Sequence, residues 1–447
     1  MSFIMNIRSV AKYESKILVR SWFFRIFTLL AVVFLGFFNF AMMLMEDNFG
    51  LWFAKSVSSN IPYLNLLLLN TGQAVVAVFL SSEFLKRDKK LDTFEVFYVR
   101  PLSNAEYVVG KIWGNLRVFL FLNLLVLAIV LAFNFMASGV TVDLPAYLVY
   151  FFLISIPTLI FIIGLSIFLM LLLKNQALTF ILLLGYIGLT LFYIQDKFYY
   201  LFDYMVYNLP LFKSTIVGFS NLELILNHRA IYFFAGLGFI FFTIFLFKRL
   251  PNARRSHYPW LFLSFCMFLL MVTAGFRHVR SILWEGEMRA LYTSINNKYV
   301  YEPKMAIDYY DISVEQKSET IRSVVGMEGT ALAASEVFIF CLNPGLRVEE
   351  VKDGEKSLNF KREEQILAVD FGRKIEKGDT ISFSVSYEGR IKDDFCYLDI
   401  PEEVLQQPHD KEMLKLDKKY SFQTSDYGIA TRVLIGNRPI SVVFGWM

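Results

Sequence analysis

The sequence predicts an α-helical polytopic membrane domain, a six-span core plus a seventh span, followed by a small extracytoplasmic β-sandwich domain. Three observations predict it. The 447-residue chain is 56% hydrophobic and only 19% charged, with 47 Phe and 23 Tyr, well to the apolar side of a soluble domain. Seven apolar runs reach or approach the roughly 20 residues that a helix needs to cross a bilayer core. From about Lys304 the apolar period falls to two, the period of strands.

The spans are predicted over Trp22–Leu44, Ile61–Leu80, Val118–Met136, Tyr147–Leu173, Ala177–Ile194, Ala230–Phe247 and Trp260–Gly275. The last is the shortest, with Tyr258, Pro259 and Trp260 as an interfacial anchor at one end; spanning or lying flat are both open to it. Basic residues set the orientation, because basic loops stay in the cytoplasm. With the N-terminus inside, the inner segments hold Arg8, Lys12, Lys16, Arg20 and Arg25, then Lys86, Arg87, Lys89, Lys90, Arg100, Lys111 and Arg117, then Lys174, then Lys248, Arg249, Arg254 and Arg255. The outer loops before the last span hold only Lys55, Lys197, Lys213 and Arg229. Seven spans then put everything after Gly275 outside; six would leave it in the cytoplasm. No cleavable signal peptide is expected, since the first 20 residues are too charged and the next apolar run too long.

Residues 1–21 read as a cytoplasmic amphipathic elbow helix. Phe3, Ile7, Val10, Tyr13 and Ile17 fall on one face, and Arg8, Lys12, Lys16 and Arg20 on the other. Such a helix lies in the headgroup plane of an anionic leaflet, as a topology anchor or as an elbow that moves with the first span.

Between the second and third spans, residues 81–117 form a charged loop. Glu83 to Tyr98 is compatible with helix, and Arg100–Pro101 breaks it. Ser103 or Asn104 can cap a new helix with Glu106 in its first turn, and that helix runs straight into the third span. Gly110 and Gly114, four residues apart, make a smooth strip where another helix can come close. A short helix continuous with a span can pass a push into the membrane; a basic loop that only obeys topology is the plainer reading.

These residues also carry a resemblance. Glu83 at the end of the second span, the stretch KRDKKLDTFEVFYVRPLSNAEYVVGKIW, and Pro101, Ser103, Glu106, Tyr107, Gly110 and Lys111 within it resemble the cytoplasmic loop of permease subunits of type-2 ABC exporters. With the elbow helix and six spans, the resemblance covers residues 1–250. It implies a coupling segment, Glu83, Arg87, Asp92, Arg100, Pro101, Ser103, Glu106, Tyr107, Gly110 and Lys111, that docks on a separate ABC ATPase. It also implies a second permease copy or homologue, the bacterial cytoplasmic membrane as location, and export rather than import. The segment at 259–276 is an addition to the six-span core.

The chain itself holds no G-x-x-x-x-G-K-[ST] motif, so ATP and Mg2+ are expected on the partner, with no cofactor or metal bound here. No acidic residue stands in the middle of a predicted span, which argues against a proton relay. Asn123, Thr158, Ser166, Thr179 and Thr190 are expected to bond between helices. The aromatic connection before the sixth span, with Tyr199, Tyr200, Tyr204 and Tyr207, suits an interfacial lid, a re-entrant helix or a plain interface-hugging segment. Net charge is +4, too small and dispersed for a nucleic-acid partner.

In residues 300–426, Ile381, Phe383, Val385 and Tyr387 alternate with serines as a half-buried strand. Val337–Leu342 is another strand, ended by Asn343–Pro344–Gly345. Asp353–Gly354 turns between Leu346–Val351 and Leu358–Phe360, and Lys377–Gly378–Asp379 is a further turn. Strands this short and this spaced suit a β-sandwich. AIDYYDISV, VFIFCLNPGLRVEEV, LNFKREEQILAVDF and KGDTISFSVSYEGRI resemble the N-terminal β domain of aminopeptidase-N-class zinc peptidases, which some bacterial proteins carry behind a type-2 permease. That resemblance implies a chain cut short before the peptidase domain. Its histidines, His228, His257, His278 and His409, include none followed by Glu, so no H-E-x-x-H is present and no hydrolysis is expected. The tail 427–447 matches nothing in that fusion. Cys341 and Cys396 would face an oxidising compartment, where pairing and burial as free thiols are both open. Two other readings stand beside the permease: a membrane anchor that displays a β binding domain, and a remnant of a membrane-bound zinc aminopeptidase.

Overall fold

The computed structural model describes residues 2–44, 59–82, 102–136, 142–194, 197–207, 209, 211, 213, 221–247, 258–317, 320–392, 395 and 444–445. Two compact units divide the chain: Met1–Lys213 with Asn221–Arg280, and Ser214–Ser220 with Ser281–Met447.

The helices are α1 (Ser2–Arg20), α2 (Trp22–Leu44), α3 (Asn60–Ser82), α4 (Asn104–Met136), α5 (Leu144–Leu173), α6 (Gln176–Phe192), α7 (Leu222–Leu246) and α8 (Tyr258–Lys298). Six of them, α2 to α5, α7 and α8, are long and apolar enough to cross a membrane; α6, at 17 residues, falls just short. The helices thus fit a multi-pass membrane protein. The short apolar run Trp260–Gly275 lies inside a helix of 41 residues, about 60 Å at 1.5 Å per residue. The loop helix and third span are one rod, α4, of 33 residues, about 50 Å long.

At the centre of the first unit, α5 is pressed against α7 and α3. Two glycines make the first contact possible. A Cβ at Gly236 would stand 2.7 Å from the Ile160 carbonyl, and one at Gly164 would stand 2.7 Å from the Gly236 carbonyl. Within α5, Phe151–Ser155 widen into a π-helical turn just before Pro157, whose missing N–H breaks the α ladder there.

A set of polar side chains in this unit points inward. Asn39 and Asn65 bond to each other across α2 and α3 (2.7 and 3.0 Å). Asn70, Gln73, Asn123 and Ser155 form a closed set joining α3, α4 and the π turn, with Asn123 Nδ2 donating to Gln73 Oε1 (2.9 Å) and Ser155 Oγ to Asn123 Oδ1 (2.8 Å). All four are fully buried. Of the five polar residues expected between helices, Asn123 bonds across to its neighbours, and Thr158 donates to the Tyr204 carbonyl. Thr179 reaches from α6 to Met170 Sδ of α5 (3.8 Å) and also bonds the Asn175 carbonyl of its own cap, whereas Ser166 and Thr190 donate back to carbonyls of their own helix. That is the usual local outlet for a hydroxyl on a helix.

The second unit holds two antiparallel sheets. β1 (Met305–Lys317), β2 (Thr320–Ala331), β8 (Thr380–Gly389), β4 (Leu346–Asp353) and β5 (Lys356–Ser357) make one, in that order. β6 (Asn359–Glu363), β7 (Ile366–Ile375), β3 (Ser335–Leu342) and β9 (Phe444–Gly445) make the other. Ile381, Phe383, Val385 and Tyr387 are buried as their alternation requires, against Phe338, Phe340, Val369 and Phe371. Gly354 takes φ +60 in the turn after β4. The stretch after that turn departs from expectation. Lys356–Ser357 pair with β4, and then the chain crosses at buried Leu358, so Asn359–Glu363 pair with β7 in the other sheet. Two residues of the atypical tail, Phe444 and Gly445, pair with Leu342 and Cys341. Cys396 lies outside the described residues; Cys341 is buried in β3.

The last turns of α8 belong to this second unit. Tyr292 packs on Cys341 and Phe395, and Ile295 on Ile339 and Ile366. Gln365 Nε2 donates to the Tyr292 carbonyl (2.7 Å) and to Asn296 Oδ1 (2.8 Å). Arg362 donates from Nη2 to the Leu342 and Asn343 carbonyls, and burial pulls its guanidinium down to about 10.

Candidate functional site

The residues singled out at the head of the third span come together at a joint between α1 and α4. Ser103 Oγ accepts from the Glu106 N–H (3.1 Å) and Glu106 Oε2 accepts from the Ser103 N–H (2.6 Å). This is a capping box, and it settles the cap on Ser103. Asn104 instead donates from Nδ2 to the Phe247 carbonyl at the end of α7 (2.6 Å). Tyr107 stacks on the Phe247 ring at 5.6 Å.

The partner of the Gly110/Gly114 strip is α1. A Cβ at Gly110 would stand 2.7 Å from Val10 Cβ, and one at Gly114 would stand 2.7 Å from Glu14 Cβ and 2.9 Å from the Ala11 carbonyl. Polar bonds surround this close crossing. Asn6 Nδ2 donates to Glu106 Oε1 (2.9 Å), Ser15 Oγ to the Gly114 carbonyl (2.7 Å) and Arg117 Nη2 to the Ala11 carbonyl (2.8 Å). Arg117 Nε also donates to Ser15 Oγ (2.5 Å). Lys111 Nζ stands 3.8 Å from Glu14 Oε2, with both side chains under 5% exposed, and 5.1 Å from the centre of the Tyr107 ring.

Glu106, Tyr107, Gly110 and Lys111 are therefore buried in the protein's own joint. Glu83, Arg87, Asp92, Arg100 and Pro101 lie outside the described residues. Arg8, Lys12, Lys16 and Arg20 are all exposed on α1. The buried face of α1 is rotated from the expected one. It runs through Ala11, Glu14, Ser15 and Leu18, with Ile7, Val10 and Ile17 half-buried, whereas Phe3 and Tyr13 stay exposed. A glycine strip admits a backbone rather than large side chains, so small and polar residues take the contact. Reasoning from sequence missed Asn6, Glu14, Ser15 and Arg117. Glu14 and Ser15, on one face with Ala11 and Leu18 by three- and four-residue steps, were the available signal.

A second group of side chains gathers where the connection after α6 meets α5, α7 and α8. Phe198, Tyr199 and Tyr200 form one short turn with φ of 54, 59 and 62. Left-handed backbone costs about 1–2 kcal/mol for each such residue, so something must hold it. His228 Nε2 meets the Tyr200 carbonyl (3.0 Å), and His278 Nε2 meets the Tyr199 carbonyl (2.8 Å). Tyr232 donates its hydroxyl to the Leu201 carbonyl. Arg229 is 2% exposed and donates to the Leu153 carbonyl (2.7 Å), the Tyr204 carbonyl (3.0 Å), the Ile154 carbonyl (3.4 Å) and Thr158 Oγ1 (2.8 Å). Its guanidinium thus ties the π turn, whose carbonyls the widened ladder leaves available, to the connection. Tyr204, Met205, Val206, Leu209 and Leu211 are buried, deeper than an interface-hugging segment requires. Burial pushes the Tyr204 hydroxyl well above its ordinary value.

Among the described residues, no three His, Cys, Asp or Glu side chains stand together as metal ligands. No family model matches the chain, and no curated protein matches it. Among solved structures, the M1 zinc metallopeptidase from Deinococcus radiodurans is similar at 17% identity, with 20% of this chain and 21% of that chain covered and a TM-score of 0.18. A two-domain M1 zinc metallopeptidase variant bound to L-tryptophan gives 17% identity, the same coverage and a TM-score of 0.19. Another bound to L-arginine gives 18% and 0.18. The matched region spans about a fifth of the length of each of these proteins.

Proposed function

We propose that this chain is the membrane-spanning permease subunit of an ATP-driven ABC exporter, working with a separate ATPase that carries ATP and Mg2+ and with a second permease copy or homologue. The observation that supports it most is the α1–α4 joint. A capping box, a glycine crossing and a buried ion pair make α1 and the first three turns of α4 one body, and α4 continues from it as one long rod. A load applied to that body is carried along the rod, because a helix transmits force along its axis through its own hydrogen-bond ladder. On this reading Ser103, Glu106, Tyr107, Gly110 and Lys111 transmit the load, and the ATPase meets the loop from Glu83 to Pro101. Arg8, Lys12, Lys16 and Arg20 hold α1 on the anionic face of the cytoplasmic membrane, and the sandwich lies outside.

The test is co-purification. A stoichiometric Walker-type ATPase recovered with the chain from gently solubilised membranes, and lost on Glu83→Ala with Arg100→Ala, is the expected result. Absence of an ATPase even after crosslinking sinks the reading. A second reading, a membrane anchor displaying a β binding domain, is favoured by the last turns of α8 being built into the sandwich core. It gains if the sandwich's ligand is found and no ATPase is.

A further inference from the structure

We propose that His228 and His278 form a proton-operated latch on the left-handed turn Phe198–Tyr200, closed while both rings are neutral and opened by protonation of the pair. A carbonyl oxygen can only accept, so the contacts to Tyr200 and Tyr199 place the ring hydrogen of each histidine on Nε2. That leaves each Nδ1 as a bare lone pair. Both Nδ1 atoms are buried without a hydrogen-bond partner among the described residues, both rings are fully buried, and their centres are 5.1 Å apart.

A proton added at His228 Nδ1 would have no acceptor, and one added to His278 would have only the Leu224 carbonyl of α7 to turn to. Either would also bring a cation beside the second ring and beside Arg229, the next residue of α7. The surroundings offer little compensation. From α7 they are Arg229, Tyr232 with its ring 5.3 Å from His228, and Glu223, which is exposed and paired with Arg277 of α8 (2.7 Å). From the connection they are Tyr199, Tyr200, Tyr204 and Asp203, whose carboxylate accepts from the Tyr207 and Leu209 N–H groups (2.8 and 3.3 Å). Between Leu144 and Leu173, α5 carries no charged side chain.

The closed state therefore excludes the proton and an open state can take it up. By linkage the latch weakens as pH falls. The strained turn supplies the restoring force, because three left-handed residues relax as soon as the rings let go. The inference stands whether or not an ATPase drives the chain, since it concerns only side chains of the helical unit.

The test is amide hydrogen exchange on the full chain in lipid nanodiscs from pH 8 to pH 5, corrected for intrinsic rates. Protection of amides at 198–204 is expected to fall in the wild type by up to about tenfold per pH unit for each proton taken up. Amides of β8 serve as the internal reference and are expected to stay flat. In the His228→Gln, His278→Gln double variant, which keeps donors for the carbonyls and binds no proton, protection at 198–204 is expected to be flat. A flat wild type, or a double variant that keeps the step, overturns the latch. If the double variant does not accumulate, ring-labelled histidine spectra of the wild type decide: no change of charge state at either ring down to pH 5 also overturns it.

Discussion

Both units of this chain bury apolar side chains, but they differ in what they expose and in how many polar groups join the interior. In the sandwich, Val325, Phe338, Val369, Phe383 and Val385 are buried, and Arg322, Glu388, Lys374 and Glu376 pair on the surface. In the helical unit, Asn70, Gln73, Asn123, Ser155 and Arg229 are buried, and Phe34, Phe37, Phe40, Phe262 and Phe265 are out. The difference fits a sandwich folded in water and a helical unit whose apolar surface suits lipid. Water drives apolar groups together, so the sandwich hides them. Lipid tails give no such drive, so helices in lipid associate through close packing and hydrogen bonds, which buried groups such as Asn123 and Arg229 supply here. The joint at Gly110/Gly114 and the crossing at Gly164/Gly236 follow the second rule.

Truncation on the two kinds of phenylalanine should break the comparison most sharply if it is wrong. Phe383→Ala is expected to cost the sandwich about 3–5 kcal/mol in denaturant unfolding followed by exchange at β8. Phe37→Ala, whose ring is 69% exposed, should leave unfolding of the helical unit in nanodiscs within about 0.5 kcal/mol. A large loss at Phe37 would mean that its face is covered by protein.

Removing one partner of the buried ion pair by Glu14→Ala leaves Lys111 without that carboxylate, and about 3 kcal/mol is expected where such a charge stays buried. The readout is protease release of α1, with the sandwich unaffected. Gly114→Leu should do the same by steric force, at about 1–3 kcal/mol; intact docking of α1 would show that the crossing is looser than 2.7 Å implies. Ser103→Ala deletes half of the capping box at a cost of about 1 kcal/mol, read as faster exchange in the first turn of α4.

The smallest effect is electrostatic and lies in the sandwich unit. The Tyr299 hydroxyl and then Lys298 hold the Glu363 carboxyl below its ordinary 4.5. The stability this contributes is present above pH 4.5 and is lost as pH falls through the lowered folded value. Glu363→Gln should flatten that acid limb of the unfolding curve and leave pH 7 almost unchanged. An unaltered limb would show the carboxylate to be merely solvated.

The sequence by itself determined the apolar lengths, the period-two strand Ile381–Tyr387, the turn at Asp353–Gly354, and Gly110/Gly114 as a place for close approach. These are local properties, written in residues at most a few positions apart. What only tertiary structure decided involves partners distant in sequence. The strip's occupant is α1, some hundred residues earlier, which rotates the buried face of α1 onto Ala11, Glu14, Ser15 and Leu18. The strand after Gly354 changes sheet at Leu358, because β7 offers it a partner. Arg229, counted from the sequence as a basic residue of an outer loop, becomes a buried tie between the π turn and Tyr204. His228 and His278, fifty residues apart, meet over a turn that local preference would forbid. A short window cannot show which distant carbonyl will need a donor, and that need is what places such side chains.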